Sequence, residues 1–111
     1  MNFEKAKEQF EQTLSRVTQH TQTATISFHC SNGGITDISI VHCLGGICTE
    51  SKVKGIHDPD RARVILHYIL HRIKTERQSG TVALVLLCSG GNVYDARKIE
   101  EENNLFGKLL N

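Results

Sequence analysis

Two alternating segments joined by a tight turn constrain this chain more than anything else in it. Ala24, Ile26, Phe28 and Cys30 fall on one side of a period-two pattern, and Thr25, Ser27 and His29 on the other. That alternation is the mark of a half-buried strand. Ser31-Asn32-Gly33-Gly34 is a turn signal, and Ile35 to Leu44 alternates again through Ile38 and Ile40. The pairing register can be chosen by its consequences. A two-residue Asn-Gly loop would place Phe28 opposite Asp37 and waste the apolar face. A three-residue loop with a left-handed glycine places Phe28 opposite Ile38 and Ile26 opposite Ile40, which keeps the apolar face together. The second register is therefore expected.

The remaining segments build outward from this hairpin. Phe3, Ala6, Phe10, Leu14 and Val17 recur at spacings of three and four, so a first helix is expected over 2–20. Gly45-Gly46 reads as another tight turn, with a more polar third strand from Ile47 to Val53. Asp58-Pro59-Asp60 combines an N-cap residue, a first-turn proline and an acid at the positive end of the helix dipole. It opens a helix expected to run to about Gln78, buried through Ala62, Ile65, Leu66, Ile69, Leu70 and Ile73. Thr81 to Cys88 is apolar at nearly every position, the pattern of a strand covered on both faces. Ser89-Gly90-Gly91-Asn92 turns into a last expected helix over 94–110, with Ile99, Phe106 and Leu110 as its stripe.

The expectation is a single α+β domain over 1–111: a four-stranded, mostly antiparallel sheet in the order α-β-β-β-α-β-α, with helices packed on it and no internal repeat. A strand order of 4-1-2-3 would leave the apolar strand 81–88 at an edge. Such an edge invites pairing with another chain, so a homodimer is expected. The longest uninterrupted apolar run, Val82 to Cys88, is far too short to span a bilayer. The first residues lack the apolar core of a secretion signal. A cytoplasmic setting with reduced thiols follows for the four cysteines. The formal charge of +1 gives no global field toward nucleic acid, and any such role must rest on a local patch.

Three constellations carry possible chemistry. In Cys43-Leu44-Gly45-Gly46-Ile47-Cys48 a two-residue turn would set Cys43 across from Cys48 at about 4.5 Å between Cα atoms. That suits a redox pair or half of a zinc site, but no second pair completes four ligands. Two small thiols at a hairpin tip account for the same residues. Cys30 and Cys43 lie roughly 20 Å apart in the expected register and cannot share an ion. The run Ser89, Gly90, Gly91, Asn92 between a buried strand and a helix start can hold a small anion on backbone N–H groups. It matches neither dinucleotide nor P-loop patterns, and a plain structural turn explains it equally. Finally, Arg63, His67, His71 and Lys74 share one face of the second helix, flanked by Arg61, Arg72 and Arg77. The stripe suits a partner surface, phosphates or an anion, or simply a solvated face. Tyr68 follows His67, which excludes zincin chemistry. Glu100-Glu101-Glu102 is its obvious counter-charge.

No complete catalytic set and no cofactor motif emerges. The sequence is read as a small interaction or regulatory protein without catalytic activity of its own, binding a protein partner and acting as a homodimer. The alternatives are a nucleic-acid-associated protein using the basic helix 58–78, and a thiol or zinc protein using Cys43 and Cys48.

Overall fold

The computed structural model describes residues 3–45 and 59–101. Its elements run α1 (Phe3–Ser15), β1 (Thr21–Ser31), β2 (Gly34–Leu44), α2 (Pro59–Thr75), β3 (Gly80–Ser89) and β4 (Asn92–Glu101). The four strands form one antiparallel sheet in the order β2-β1-β3-β4. The α+β class and the four-stranded antiparallel sheet expected from the sequence are both present. The expected third strand, Ile47 to Val53, and the anticipated helix beyond residue 101 lie outside the described residues.

The first hairpin has the expected register, with Phe28 opposite Ile38 and Ile26 opposite Ile40. It reaches that register by a different route. Ser31 pairs with Gly34, so the loop has two residues, Asn32 and Gly33, both at positive φ (50° and 85°). Positive φ at both central positions is the turn that matches strand twist. A bulge then corrects the register: Ile35 faces Cys30 and Asp37 faces His29, leaving Thr36 as the extra residue. The Thr36 hydroxyl donates to the His29 carbonyl at 3.0 Å and fixes the bulge.

The segment 92–101, expected to be helical, is a strand. Ser89 pairs with Asn92 around Gly90 and Gly91 (φ 60° and 86°), and Tyr94 is the extra residue between Val93, opposite Cys88, and Asp95, opposite Leu87. The charged run misleads because two of its residues point inward. Ala96 is buried, and Lys98 and Glu100, which follow it at alternate positions, meet α2 through Tyr68 and Arg72. Inward charges are one way an edge strand avoids pairing with other chains. Because β4 pairs along β3, the strand 81–88 is central rather than at the edge. The edge argument for a homodimer is thereby removed.

The two halves repeat one plan, contrary to the expectation of no repeat. Each is a helix followed by a hairpin with a two-residue turn and a bulge. Cys30-Ser31-Asn32-Gly33-Gly34-Ile35-Thr36-Asp37 matches Cys88-Ser89-Gly90-Gly91-Asn92-Val93-Tyr94-Asp95 position by position. The halves meet where β1 pairs with β3, and Ile26 lies directly opposite its own equivalent, Leu84. Four of these eight pairs are identical, Cys30/Cys88, Ser31/Ser89, Gly33/Gly91 and Asp37/Asp95, but so short a stretch does not stand out until the two hairpins are seen to match.

Both helices lie on one face of the sheet. α1 is shorter than expected: Arg16 and Val17 bond back three residues to Thr13 and Leu14, and the Thr21 hydroxyl accepts from the Thr18 N–H, so the chain turns out at Ser15. α2 ends with Arg77 in the left-handed region (φ 48°) and the Gln78 N–H bonded to the Ile73 carbonyl, a Schellman cap. The Gln78 carbonyl in turn accepts from Gly33 at 3.0 Å, tying the end of α2 to the first turn. The core joins Ala6 and Phe10 of α1, Ala62, Leu66, Ile69, Leu70 and Ile73 of α2, and the inward residues of all four strands. Phe28, Ile26, Leu84 and Leu86 are fully buried at its centre.

Candidate functional site

The second face of the sheet is bare among the described residues. β3 was expected to be covered on both sides, but Val82, Leu84, Leu86 and Cys88 are buried under the helices while Thr81, Ala83, Val85 and Leu87 are only half-buried. The strand pairings lay this open face out in four rows. From β2 to β4 they read Asp37, His29, Thr81, Glu101; then Ser39, Ser27, Ala83, Ile99; then Val41, Thr25, Val85, Arg97; then Cys43, Thr23, Leu87, Asp95. Val41 is 57% and Ile99 53% exposed, so apolar side chains stand in water on both outer strands. An antiparallel sheet with one solvated face ordinarily alternates apolar inward and polar outward. β3 does not.

His29 forms the polar corner of this face. Its Nε2 lies 2.9 Å from Ser39 Oγ and its Nδ1 lies 3.1 Å from Thr81 Oγ1. In the neutral ring one nitrogen donates to a hydroxyl and the other accepts from one, so a single imidazole bridges β2, β1 and β3. A serine on one ring nitrogen and an orienting group on the other is the geometry of an activated nucleophile. Here the orienting group is a hydroxyl rather than a carboxylate, and the trio sits on a sheet surface. The arrangement reads as a cross-strand clasp. Asp37 is the register neighbour of His29, but the ring bonds go elsewhere. The sequence placed His29 outward; the expected register also implied Ser39 beside it, and only the neighbouring strand β3 was needed to add Thr81.

The basic residues of α2 lie along the helix with their arginines engaged. Arg61 donates to Asp95 at 2.9 Å. Arg63 donates through Nε and Nη2 to both carboxylate oxygens of Glu11 at 2.9 and 3.1 Å, and through Nη1 to Asp60 at 2.8 Å. Arg72 joins Glu76 at 2.9 Å and Glu100 at 3.0 Å. The last contact realises the counter-charge role expected of the acidic run. The Arg63 hydrogen bonds hold the Glu11 carboxyl below its ordinary range, and the Lys98 hydrogen bond does the same for Glu100. Asp95 is lowered chiefly by the backbone N–H of Ala96, with Arg61 adding to it. His67, His71 and Lys74 are exposed on the same helix. Around them Val64 (69% exposed) and Tyr68 make an apolar spot, with Lys98 and Arg72 over the Tyr68 ring at 5.2 and 5.7 Å. A phosphate would have to displace carboxylates already seated on Arg61, Arg63 and Arg72.

The thiols separate by environment. Cys43 is exposed near the end of β2; Cys48 lies outside the described residues. Cys30 and Cys88 occupy equivalent buried sites beside the two hairpin turns. Burial pushes the Cys88 thiol up to about 11 and raises Cys30 as well, the direction that suppresses thiolate chemistry. Among the described residues no cluster of three or more His, Cys, Asp or Glu side chains is placed to hold a metal ion. Ser89, Gly90, Gly91 and Asn92 form the turn between β3 and β4, so the helix N-terminus that an anion loop required is not there. Among the described residues, no helix is long and apolar enough to cross a membrane. The chain matches no protein-family model, no curated protein and no solved structure.

Proposed function

We propose that this chain is a small interaction or regulatory protein without catalytic activity of its own, and that it meets its protein partner through the open face of the sheet. The observation that carries the reading is the half-buried, apolar outer side of β3, flanked by exposed Val41 and Ile99. Burial of Ala83, Val85 and Leu87 by a partner would return them to the environment their composition suits; since they are already half-buried, a side chain of Val or Leu size gains only part of the roughly 1.5–3 kcal/mol of full burial. The nucleic-acid reading loses support because its arginines already hold carboxylates. The thiol reading has one exposed cysteine among the described residues.

A photo-crosslinking residue at Val85, in the full chain expressed in cells, tests the reading against the same residue at Glu8 on α1. Adducts of defined mass at position 85 and not at position 8 are expected. Equal or absent crosslinking at position 85 refutes the open face as an interaction surface.

A further inference from the structure

We infer that the free edge of β4 is a strand-binding site, and that its occupant is residues 105–110 of the same chain, folded back antiparallel to β4 through a two-residue turn at Asn103-Asn104. The inference stands apart from the reading of the open face.

The duplicated plan locates the turn. The alignment that sets residues 30–37 against 88–95, carried forward, sets Gly45-Gly46 against Asn103-Asn104. Glycine and asparagine are the residues that best accept positive φ at the two centres of a hairpin turn, and this chain already holds Asn32 at φ 50° in its first one. The backbone before Gly45-Gly46 is oriented for such a turn. Leu44 pairs with Thr21, and the next N–H along, that of Gly45, donates to the His20 carbonyl at 2.7 Å. Thr21 and Leu44 are therefore a non-hydrogen-bonded pair, and the N–H and C=O of Leu44 point away from β1, toward the free edge. The residue that opens a two-residue hairpin needs that orientation. The repeat assigns it equally to Glu102, and by alternation to Lys98 and Glu100.

Register follows from the turn. Leu105 falls opposite Glu102, Gly107 opposite Glu100, Lys108 opposite Ile99 and Leu109 opposite Lys98. On the helix side Leu109 comes beside Lys98, whose Nζ lies 5.2 Å from the centre of the Tyr68 ring, and Tyr68 is 53% exposed. On the open side Phe106 and Leu110 fall diagonally to either side of Ile99, also 53% exposed, within reach of long side chains. An exposed apolar residue on each side of the edge thus gains an apolar neighbour. Glu100 holds both Arg72 and Lys98 at 3.0 Å. Inward charges of this kind deter a foreign strand, but the residue opposite is Gly107, which sets no side chain against these ion pairs. The added strand extends the open face by Phe106 and Leu110, apolar like the outer side of β3.

Disulfide trapping in the full chain tests the inference. With Cys43 and Cys48 changed to serine, Ile99→Cys with Lys108→Cys places two thiols at a non-hydrogen-bonded pair, about 4.5 Å between Cα atoms. Ile99→Cys with Leu109→Cys places them on opposite faces. Mild oxidation should join the first pair within one chain, about tenfold or more faster than the second. Amide hydrogen exchange gives an independent reading in the otherwise unaltered chain. The Lys98 and Glu100 N–H groups should exchange about tenfold or more slowly than in Gly107→Pro, which loses a ladder donor. Lys108→Pro, whose N–H would point to solvent, should leave them slow. Failure to trap the first pair, equal trapping of both, a bond between two chains, or exchange at Lys98 and Glu100 unaltered by Gly107→Pro overturns the proposal. Crosslinking at position 85 reports on the open face alone, so either reading can fail without the other.

Discussion

Gly33 and Gly91 occupy equivalent places in the two hairpin turns with nearly identical backbone, φ 85° and 86°, yet different surroundings. A Cβ at Gly33 would stand 3.1 Å from Arg77 Cα and 3.4 Å from the Ile73 carbonyl oxygen; at Gly91 the nearest heavy atom is the Gln19 nitrogen at 4.0 Å. Alanine at either position incurs the left-handed penalty of about 1–2 kcal/mol, offset by about 0.4–1 kcal/mol from the restricted unfolded chain. Gly91→Ala should therefore cost about 1 kcal/mol. At Gly33 the obstacle is backbone in the α2 cap and cannot swing aside, so an overpacking cost of about 1–3 kcal/mol is added. Gly33→Ala should cost about 2–4 kcal/mol. In urea unfolding, with a slope of about 1–3 kcal/mol per molar, the two midpoints should separate by about 1 M at unchanged slope. Equal losses, or a larger loss at Gly91, would refute the claim that the end of α2 bears on the first turn.

Two further outcomes follow from the side-chain environments. In a Cys48→Ser background, native protein near pH 8 should react with a thiol reagent once and quickly at Cys43, while Cys30 and Cys88 react only after denaturant is added, since burial raises both thiols, Cys88 to about 11; rapid native labelling at three sites would contradict their burial. The lowered carboxyls of Glu11, Asp95 and Glu100 contribute stability that is present above their unfolded pKa values, near 4–4.5, and lost as pH falls through the folded values. The melting temperature should fall below about pH 4.5, and Glu100→Gln should show a shallower fall than wild type; an identical pH profile would remove Glu100 from the linkage.

The first hairpin was legible in the sequence because a one-residue slip would have turned Phe28 and Ile26 to the wrong side, and the register they demand is the one observed. Its mechanism was not legible, since a three-residue loop and a two-residue loop with a bulge at Thr36 give the same pairing. β4 was hidden for a different reason. Lys98 and Glu100 point inward, where they pair with each other at 3.0 Å and meet the Tyr68 ring and the Arg72 guanidinium of α2, distant in sequence. The basic face of α2 was visible as a stripe of helical spacing, but its neutralisation by Glu11 and Asp95 depends on how α1 and β4 lie against it. The open face itself was misjudged because an apolar run does not reveal whether one face of the strand or both are covered.

The duplicated helix-hairpin plan bears on how the molecule is held as one piece. Each half contributes one helix and one hairpin, and the halves are joined by the β1–β3 ladder and a common core, with residues 46–58 as the covalent tether between them. Any covalent connection between the halves raises the effective concentration of one about the other, toward millimolar order for a short one. Fragments 1–45 and 59–111 are thus natural candidates for reconstitution as a split protein. Because Ile26 faces its own counterpart Leu84 at the ladder's centre, the same contact also offers each half a route to pairing with a copy of itself, which exchange between two molecules would exploit.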